Sequence, residues 1–232
     1  MARTRTHNYS DGTTTFIGYI AEPDDADATP RPAVLIAPAF MGLRDFEMEQ
    51  ARRLADLGYT AFAIDFYGNG YRTEIREEAA VQMKTVNDDR RMLADRMVCA
   101  LDEMRALPGV DPSRLAAMGY CLGGKAVLDL ARTGADFKVA MPLHGIFDRP
   151  NFPTEQMKSA VVLLHGWDDP LAKPDAVVSI AEELSEYCPD WEILGFGHTD
   201  HAFTNPAGAN YREPSARRSW RWLTATLEEH FA

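Results

Sequence analysis

Leu115-Ala116-Ala117-Met118-Gly119-Tyr120-Cys121-Leu122-Gly123-Gly124 is the stretch on which the fold of this chain turns. Four apolar residues run into Gly-x-Cys-x-Gly-Gly, and residues 122–132 continue with helical apolar spacing. A strand that stops at a glycine-flanked residue and resumes as a helix is the setting of a nucleophile elbow, with Cys121 where a serine often stands. The residue at the turn is held in a strained conformation, so positions two residues away must lack side chains; Gly119 and Gly123 meet that demand. Gly124 lets the helix approach the sheet. The turn also sets the sulfur at a helix N-terminus, where negative charge is favoured. The competing reading is a buried structural cysteine beside a dinucleotide-type glycine turn, but the spacing G-x-G-x-x-G does not occur here.

Outward from this turn, strand and helix alternate. Upstream, residues 14–21 read as a strand, 23–32 as a Pro- and Asp-rich surface loop, and 33–37 as a short buried strand. Residues 43–57 have helical spacing closed by Gly58, and 59–65 form a strand that ends in the loop 66–70. Helices follow over 74–84 and 88–107, then a strand over 114–118. Downstream, 137–143 and 160–164 are strands, 175–187 a helix, 191–194 a strand and 214–230 a closing helix. This alternation predicts one mainly parallel sheet flanked by helices in a single α/β domain over 1–232. Residues 144–159 are too few for a large cap domain, so the site should be open.

Composition narrows the function. The 232 residues carry a formal net charge of −11, which opposes a nucleic-acid backbone as main partner. No apolar run approaches a membrane span, and residues 1–16 are polar with no secretory signal. The three cysteines, Cys99, Cys121 and Cys188, form no C-x-x-C pair, which disfavours a disulfide framework or a zinc site and fits a cytoplasmic location. Cys99 and Cys188 read as structural. A partner larger than a small molecule has no signature here, and the chain is expected as a monomer or small homo-oligomer.

If Cys121 is a nucleophile, an acid and then a base should follow it in chain order. After the strand 160–164 comes His165-Gly166-Trp167-Asp168-Asp169-Pro170, and either aspartate could orient a histidine; either could equally cap a turn. After the last strand comes Gly195-Phe196-Gly197-His198-Thr199-Asp200-His201-Ala202-Phe203, with His198 and His201 as candidate bases. His144 and His165 end strands and should lie nearby, in the wrong loops for the base; His7 and His230 should be solvated. Oxyanion donors are expected from the backbone N–H of Leu122 and from the loop Pro38-Ala39-Phe40-Met41-Gly42, with Phe40 as second donor.

Four motifs together resemble the dienelactone hydrolase family of the α/β-hydrolase fold: Ala39-Phe40-Met41-Gly42-Leu43-Arg44-Asp45, Gly119-Tyr120-Cys121-Leu122-Gly123-Gly124, His165-Gly166-x-x-Asp169-Pro170 and His201-Ala202-Phe203-x-Asn205-Pro206. The resemblance spans roughly residues 14–230. It implies a Cys121-Asp169-His201 triad that hydrolyses a small ester or lactone through a covalent acyl-enzyme, with no metal or organic cofactor. Met41, Tyr120, Arg72 and Phe203 are then expected to contact substrate. Two positions depart from the best-known members. Ala39 stands where they place a glutamate near the resting thiol, and Asn205 where they place an arginine for a substrate carboxylate; both point away from the dienelactone itself. Arg44, Arg72 and Arg76 are the other cations available to an acidic substrate. The rival functions are a catalytically weak ligand-binding module and a thiol sensor; no resolving cysteine lies near Cys121 in sequence.

Overall fold

The computed structural model describes residues 2–24 and 29–232. The first elements are β1 (Arg3–Ser10), β2 (Thr15–Glu22), β3 (Arg31–Ala37), α1 (Asp45–Asp56), β4 (Thr60–Ala63), α2 (Arg76–Asp88) and α3 (Arg90–Ala106). Then come β5 (Val110–Tyr120), α4 (Leu122–Arg132), β6 (Val139–Leu143), β7 (Ala160–Gly166), α5 (Pro174–Tyr187), β8 (Trp191–Phe196) and α6 (Glu213–Phe231). The strands form one sheet in the order β1-β2-β4-β3-β5-β6-β7-β8. β1 and β2 are antiparallel, as are β2 and β4; from β4 to β8 every pairing is parallel. This is an α/β-hydrolase fold with helices on both faces. No helix or strand lies between β6 and β7, and no helix among the described residues is long and apolar enough to cross a membrane. Of the loop expected over 23–32, residues 25–28 lie outside the described residues, and β3 begins at Arg31.

The N-terminal residues that read as merely polar form an edge strand. β1 pairs along its length with β2, yet of its side chains only Tyr9 is buried, so it lacks the apolar alternation that would announce a strand. Arg3 and Arg5 both bond Glu22 across the pair, at 3.0 and 2.6 Å. His7, expected in solvent, is held instead: its Nε2 lies 2.7 Å from Glu103 of α3 and its ring meets Phe62 edge-on.

Alternation along the parallel strands sorts the core into two layers. Leu35 and Ala37 face the side covered by α3, α4 and α5; Val34 and Ile36 face the side covered by α1 and α6. The same alternation sends Cys121 to the first layer and Tyr120 to the second.

A buried ion cluster fastens the irregular segment after β6. Asp129 of α4 accepts from Arg90 at 2.6 and 2.7 Å and from Arg132 at 3.0 Å; Arg132 also donates to Glu183 of α5 at 2.9 and 2.8 Å. Asp148, in the segment itself, takes Arg90 at 2.7 Å and Lys125 at 2.8 Å. Removing one member leaves uncompensated buried charge, which costs far more than an exposed pair contributes. Asp129→Asn is therefore expected to lower stability by about 3–5 kcal/mol in equilibrium urea unfolding; a loss under about 1 kcal/mol would show that the cluster does not depend on that carboxylate.

Candidate active site

β5 ends at Tyr120 and α4 begins at Leu122, so Cys121 alone makes the turn, at φ 56° and ψ −113°. Few non-glycine residues tolerate that region. Contacts behind the turn explain the flanking glycines. A Cβ on Gly119 would lie 2.3 Å from the carbonyl oxygen of Gly123, and one on Gly123 would lie 2.2 Å from that of Ala37. Gly124 faces both the loop after β6 and the sheet: its Cβ would meet Gly145 Cα at 2.8 Å and the Gly119 carbonyl oxygen of β5 at 3.3 Å. Cys121 is 8% exposed. Leu122 is the first residue of α4, so its N–H has no partner inside the helix.

Opposite this turn, at the end of β3, Gly42 N–H donates to the Ala39 carbonyl at 3.0 Å and closes a tight turn through Phe40 and Met41. Three outside groups pin it. Tyr67 Oη donates to the Phe40 carbonyl at 2.9 Å, Thr73 N–H donates to the Met41 carbonyl at 3.1 Å, and Ala39 N–H donates to Glu47 Oε1 at 3.1 Å. No acceptor among the described residues takes the Phe40 N–H. Tyr67 and Glu47 were not singled out from sequence. Glu47 is buried, and burial pushes its carboxyl above the usual range. Tyr67 depends on the loop 66–70, which Asp65 organises by accepting the N–H groups of Tyr67, Gly68 and Gly70 at 2.8–2.9 Å.

The loops after β7 and β8 are stitched together by Trp167 N–H to the Phe196 carbonyl (2.9 Å) and Asp168 N–H to the Thr199 carbonyl (3.0 Å). Across that seam His201 Nδ1 lies 2.7 Å from Asp169 Oδ2, while Asp169 Oδ1 accepts the Leu171 N–H at 2.8 Å. Of the residues left open by spacing, Asp169 and His201 meet. His198 is 92% exposed at its side chain and comes no nearer than 3.9 Å to Asp168. His201 Nε2 is buried and makes no hydrogen bond, to sulfur or otherwise, among the described residues. Burial disfavours the imidazolium, but the hydrogen bond to Asp169 and the adjacent Cys121 outweigh it, and the pKa is pushed up to about 10.

Two more histidines border the site. His144, at φ 39°, is buried; its Nδ1 accepts the Cys121 N–H at 3.2 Å and its Nε2 lies 2.8 Å from Thr204 Oγ1. His165 is fully buried against Phe147 and Trp167, with neither ring nitrogen hydrogen-bonded. Burial first, and for His144 then the neighbouring His201, pull both below the usual histidine range.

Two expected substrate contacts are corrected. Tyr120 is 2% exposed and packs on Phe46 at 4.8 Å, because strand alternation turns it away from Cys121. Phe203 is fully buried against Phe196 and His144. Arg72 is exposed beside the Phe40 turn, bridged through its backbone to Gly42, and the Met41 sulfur accepts from Arg44 at 2.9 Å. Among the described residues, no group of three or more His, Cys, Asp or Glu side chains is arranged to hold a metal.

A family model described as "Dienelactone hydrolase family" matches residues 16–231. A curated relative from Bradyrhizobium, named "Probable 2-oxo-3-(5-oxofuran-2-ylidene)propanoate lactonase", is 26% identical over 92% of this chain and 89% of its own. A solved structure described as a dienelactone hydrolase-like promiscuous phosphotriesterase from metagenomic libraries is 33% identical, with TM-score 0.94, and covers 100% of this chain and 99% of its own. Another, named "m3DLH", is 32% identical with TM-score 0.94 and the same coverage.

The His201–Asp169 bond has a pH signature. A folded-state pKa of about 10, against about 6.5 in the unfolded chain, makes its stabilisation complete below pH ~6.5. The stabilisation fades as pH rises through 10. Unfolding free energies of wild type and Asp169→Asn should therefore converge between neutral pH and pH 10. Parallel curves over that range would mean that Asp169 does not hold the His201 proton.

Proposed function

The chain belongs to the dienelactone hydrolase family of ester and lactone hydrolases, and from that premise we propose that it is a thiol hydrolase in which Cys121, His201 and Asp169 act as a triad. The observation that carries the reading is the 2.7 Å bond between His201 Nδ1 and Asp169. It fixes the imidazole so that Nε2, the nitrogen left without another partner, is free for the proton of Cys121 at the head of α4.

In this mechanism His201 Nε2 holds the proton of Cys121 in an ion pair and the thiolate Sγ attacks the carbonyl carbon. The carbonyl electron pair moves onto oxygen, where the N–H groups of Leu122 and Phe40 receive it. Collapse breaks the C–O bond, and His201 returns its proton to the departing alkoxide. In a lactone that alkoxide stays tethered to the acyl group. Water, deprotonated by His201, then attacks the thioester and expels the Cys121 thiolate. Asp169 keeps the tautomer and stabilises the imidazolium throughout. The substrate is a small ester or lactone that enters past Met41 and Arg72. With Ala39 and Asn205 at the two departing positions, recognition does not depend on a carboxylate at those points.

Steady-state and burst kinetics with p-nitrophenyl acetate test this. Cys121→Ala should lose at least about a thousandfold in kcat and its burst, whereas Cys99→Ala should change kcat by less than about twofold. Turnover that survives in Cys121→Ala would end the thiol mechanism; a burst without steady turnover in the wild type would favour a thioester-forming binding protein. Asp169→Asn should lower kcat by about 10²–10⁴-fold, because the amide favours the wrong tautomer. A diaryl or diethyl aryl phosphate belongs in the substrate panel, because the 33% identical neighbour is described as a phosphotriesterase. The same thiolate and N–H groups would serve an attack at phosphorus.

A further inference from the structure

His144 is used by none of these steps, yet it touches both halves of the site. It follows β6, which lies next to β5 in the sheet, while the loop that carries His201 follows β8, two strands further along. Its imidazole spans that gap: the Cys121 N–H, shared with the Leu143 carbonyl at 3.1 Å, lies 3.2 Å from Nδ1, and Thr204 Oγ1 lies 2.8 Å from Nε2. Thr204 stands three residues after His201.

The tautomer is determined by the donor. A backbone N–H can only donate, so Nδ1 must present its lone pair to Cys121, the ring proton must sit on Nε2, and Nε2–H must donate to the Thr204 hydroxyl. Tyr120, Phe203 and His201 pack around the ring, with centroids at 5.8, 5.4 and 5.2 Å. The backbone is strained to put it there, at φ 39°, a region that side-chain-bearing residues seldom occupy. Burial and the neighbouring His201 both disfavour a proton on Nδ1, so the acceptor toward Cys121 persists while His201 carries charge.

We propose that His144 is a positioning residue that locks the nucleophile turn to the base-bearing loop through the chain Cys121 N–H, His144, Thr204. The proposal rests on the triad reading above and adds that Sγ and His201 Nε2 are held in register by a third histidine that never touches substrate. One end of the chain is the backbone N–H of Cys121 itself, and the other is a side-chain hydroxyl on the loop of His201. A break in the chain should therefore leave substrate binding intact and slow the chemical step.

A double-mutant cycle reads this. His144→Asn keeps an acceptor near the Cys121 N–H and tolerates the left-handed backbone, but cannot reach Thr204; Thr204→Val removes the acceptor at nearly constant volume. Each should lower kcat for p-nitrophenyl acetate by about tenfold with KM within about twofold. The double variant should be no slower than the slower single, because both break one hydrogen bond. Thr204→Ser should restore most of the rate. The pH dependence of Cys121 alkylation by iodoacetamide should shift alike in both single variants, which a mere loss of folding stability would not produce. Losses that multiply to about a hundredfold, or a Thr204→Val enzyme with wild-type kcat, would overturn the proposal. If His144→Asn does not fold, the contrast between Thr204→Val and Thr204→Ser decides alone. Cys121→Ala run beside them separates the two claims: inert Cys121→Ala with additive losses defeats only the role of His144, whereas active Cys121→Ala defeats the triad reading itself.

Discussion

Helix α4 passes the end of β3 so closely that the Gly123 backbone rests on the Ala37 carbonyl, where a Cβ would sit 2.2 Å from the oxygen. That approach is the constraint on which the site depends. It draws the first turn of α4 down onto the C-terminal edge of the sheet, and only a single residue, Cys121, is left to reverse the chain. The same contact brings the residues after Ala37 alongside the helix N-terminus. The N–H of Leu122 and that of Phe40 therefore end up uncommitted on the same side of the sheet edge. The proposed nucleophile and oxyanion donors are thus not separate acquisitions, because one steric requirement produces both placements. A side chain at Gly123 would move them together.

Charge is arranged as economically as space. Three histidines, His144, His165 and His201, crowd the ends of β6, β7 and β8, and all are mostly buried, so each would prefer to be neutral. Only His201 has a carboxylate bonded to its ring, and the 2.7 Å contact with Asp169 reverses the effect of burial there and nowhere else. His144 spends its nitrogens on a backbone N–H and a hydroxyl, and His165 bonds with neither. The proton in the site therefore has one place to go, and the neutrality of the other two is what makes that place unambiguous.

The sequence disclosed what periodicity and motif spacing can carry. The parallel strands and the helices fall within a few residues of their expected bounds, because a strand buried on both faces is a continuous apolar run and each helix shows its stripe. Cys121 was legible because its glycines are demanded by backbone contacts that leave a trace in the chain itself. Which aspartate and which histidine pair was not legible from spacing: Asp168 and Asp169 are adjacent, and the choice depends on backbone bonds between two loops far apart in sequence. The edge strand β1 was hidden because solvent covers most of it, and the ion cluster of Arg90, Asp129, Arg132 and Glu183 because a charged residue in a helix reads as an exposed one. Tyr120 and Phe203 were misplaced for a related reason, since proximity in sequence to Cys121 and His201 does not say which face of the sheet a side chain takes.

Glu47 bears on the departure at Ala39. The Phe40 turn has no carboxylate of its own, yet one reaches it from α1: Glu47 accepts the Ala39 N–H and, through its other oxygen, the Arg44 N–H that begins the helix. That carboxylate is committed to backbone and sealed from solvent, so it braces the loop from behind and does not face substrate. Tyr67 braces it from the other side through the Phe40 carbonyl. On the proposed mechanism the Cys121 sulfur is then paired with His201 and with no carboxylate of the Phe40 turn. The cations left to greet an incoming acid are at the rim: Arg72, exposed beside the Phe40 turn, and Arg76, whose guanidinium lies 5.4 Å from the Phe40 ring. Exposed guanidinium groups on mobile stems select weakly. On the proposed mechanism these two cations therefore add little discrimination between acidic and neutral substrates.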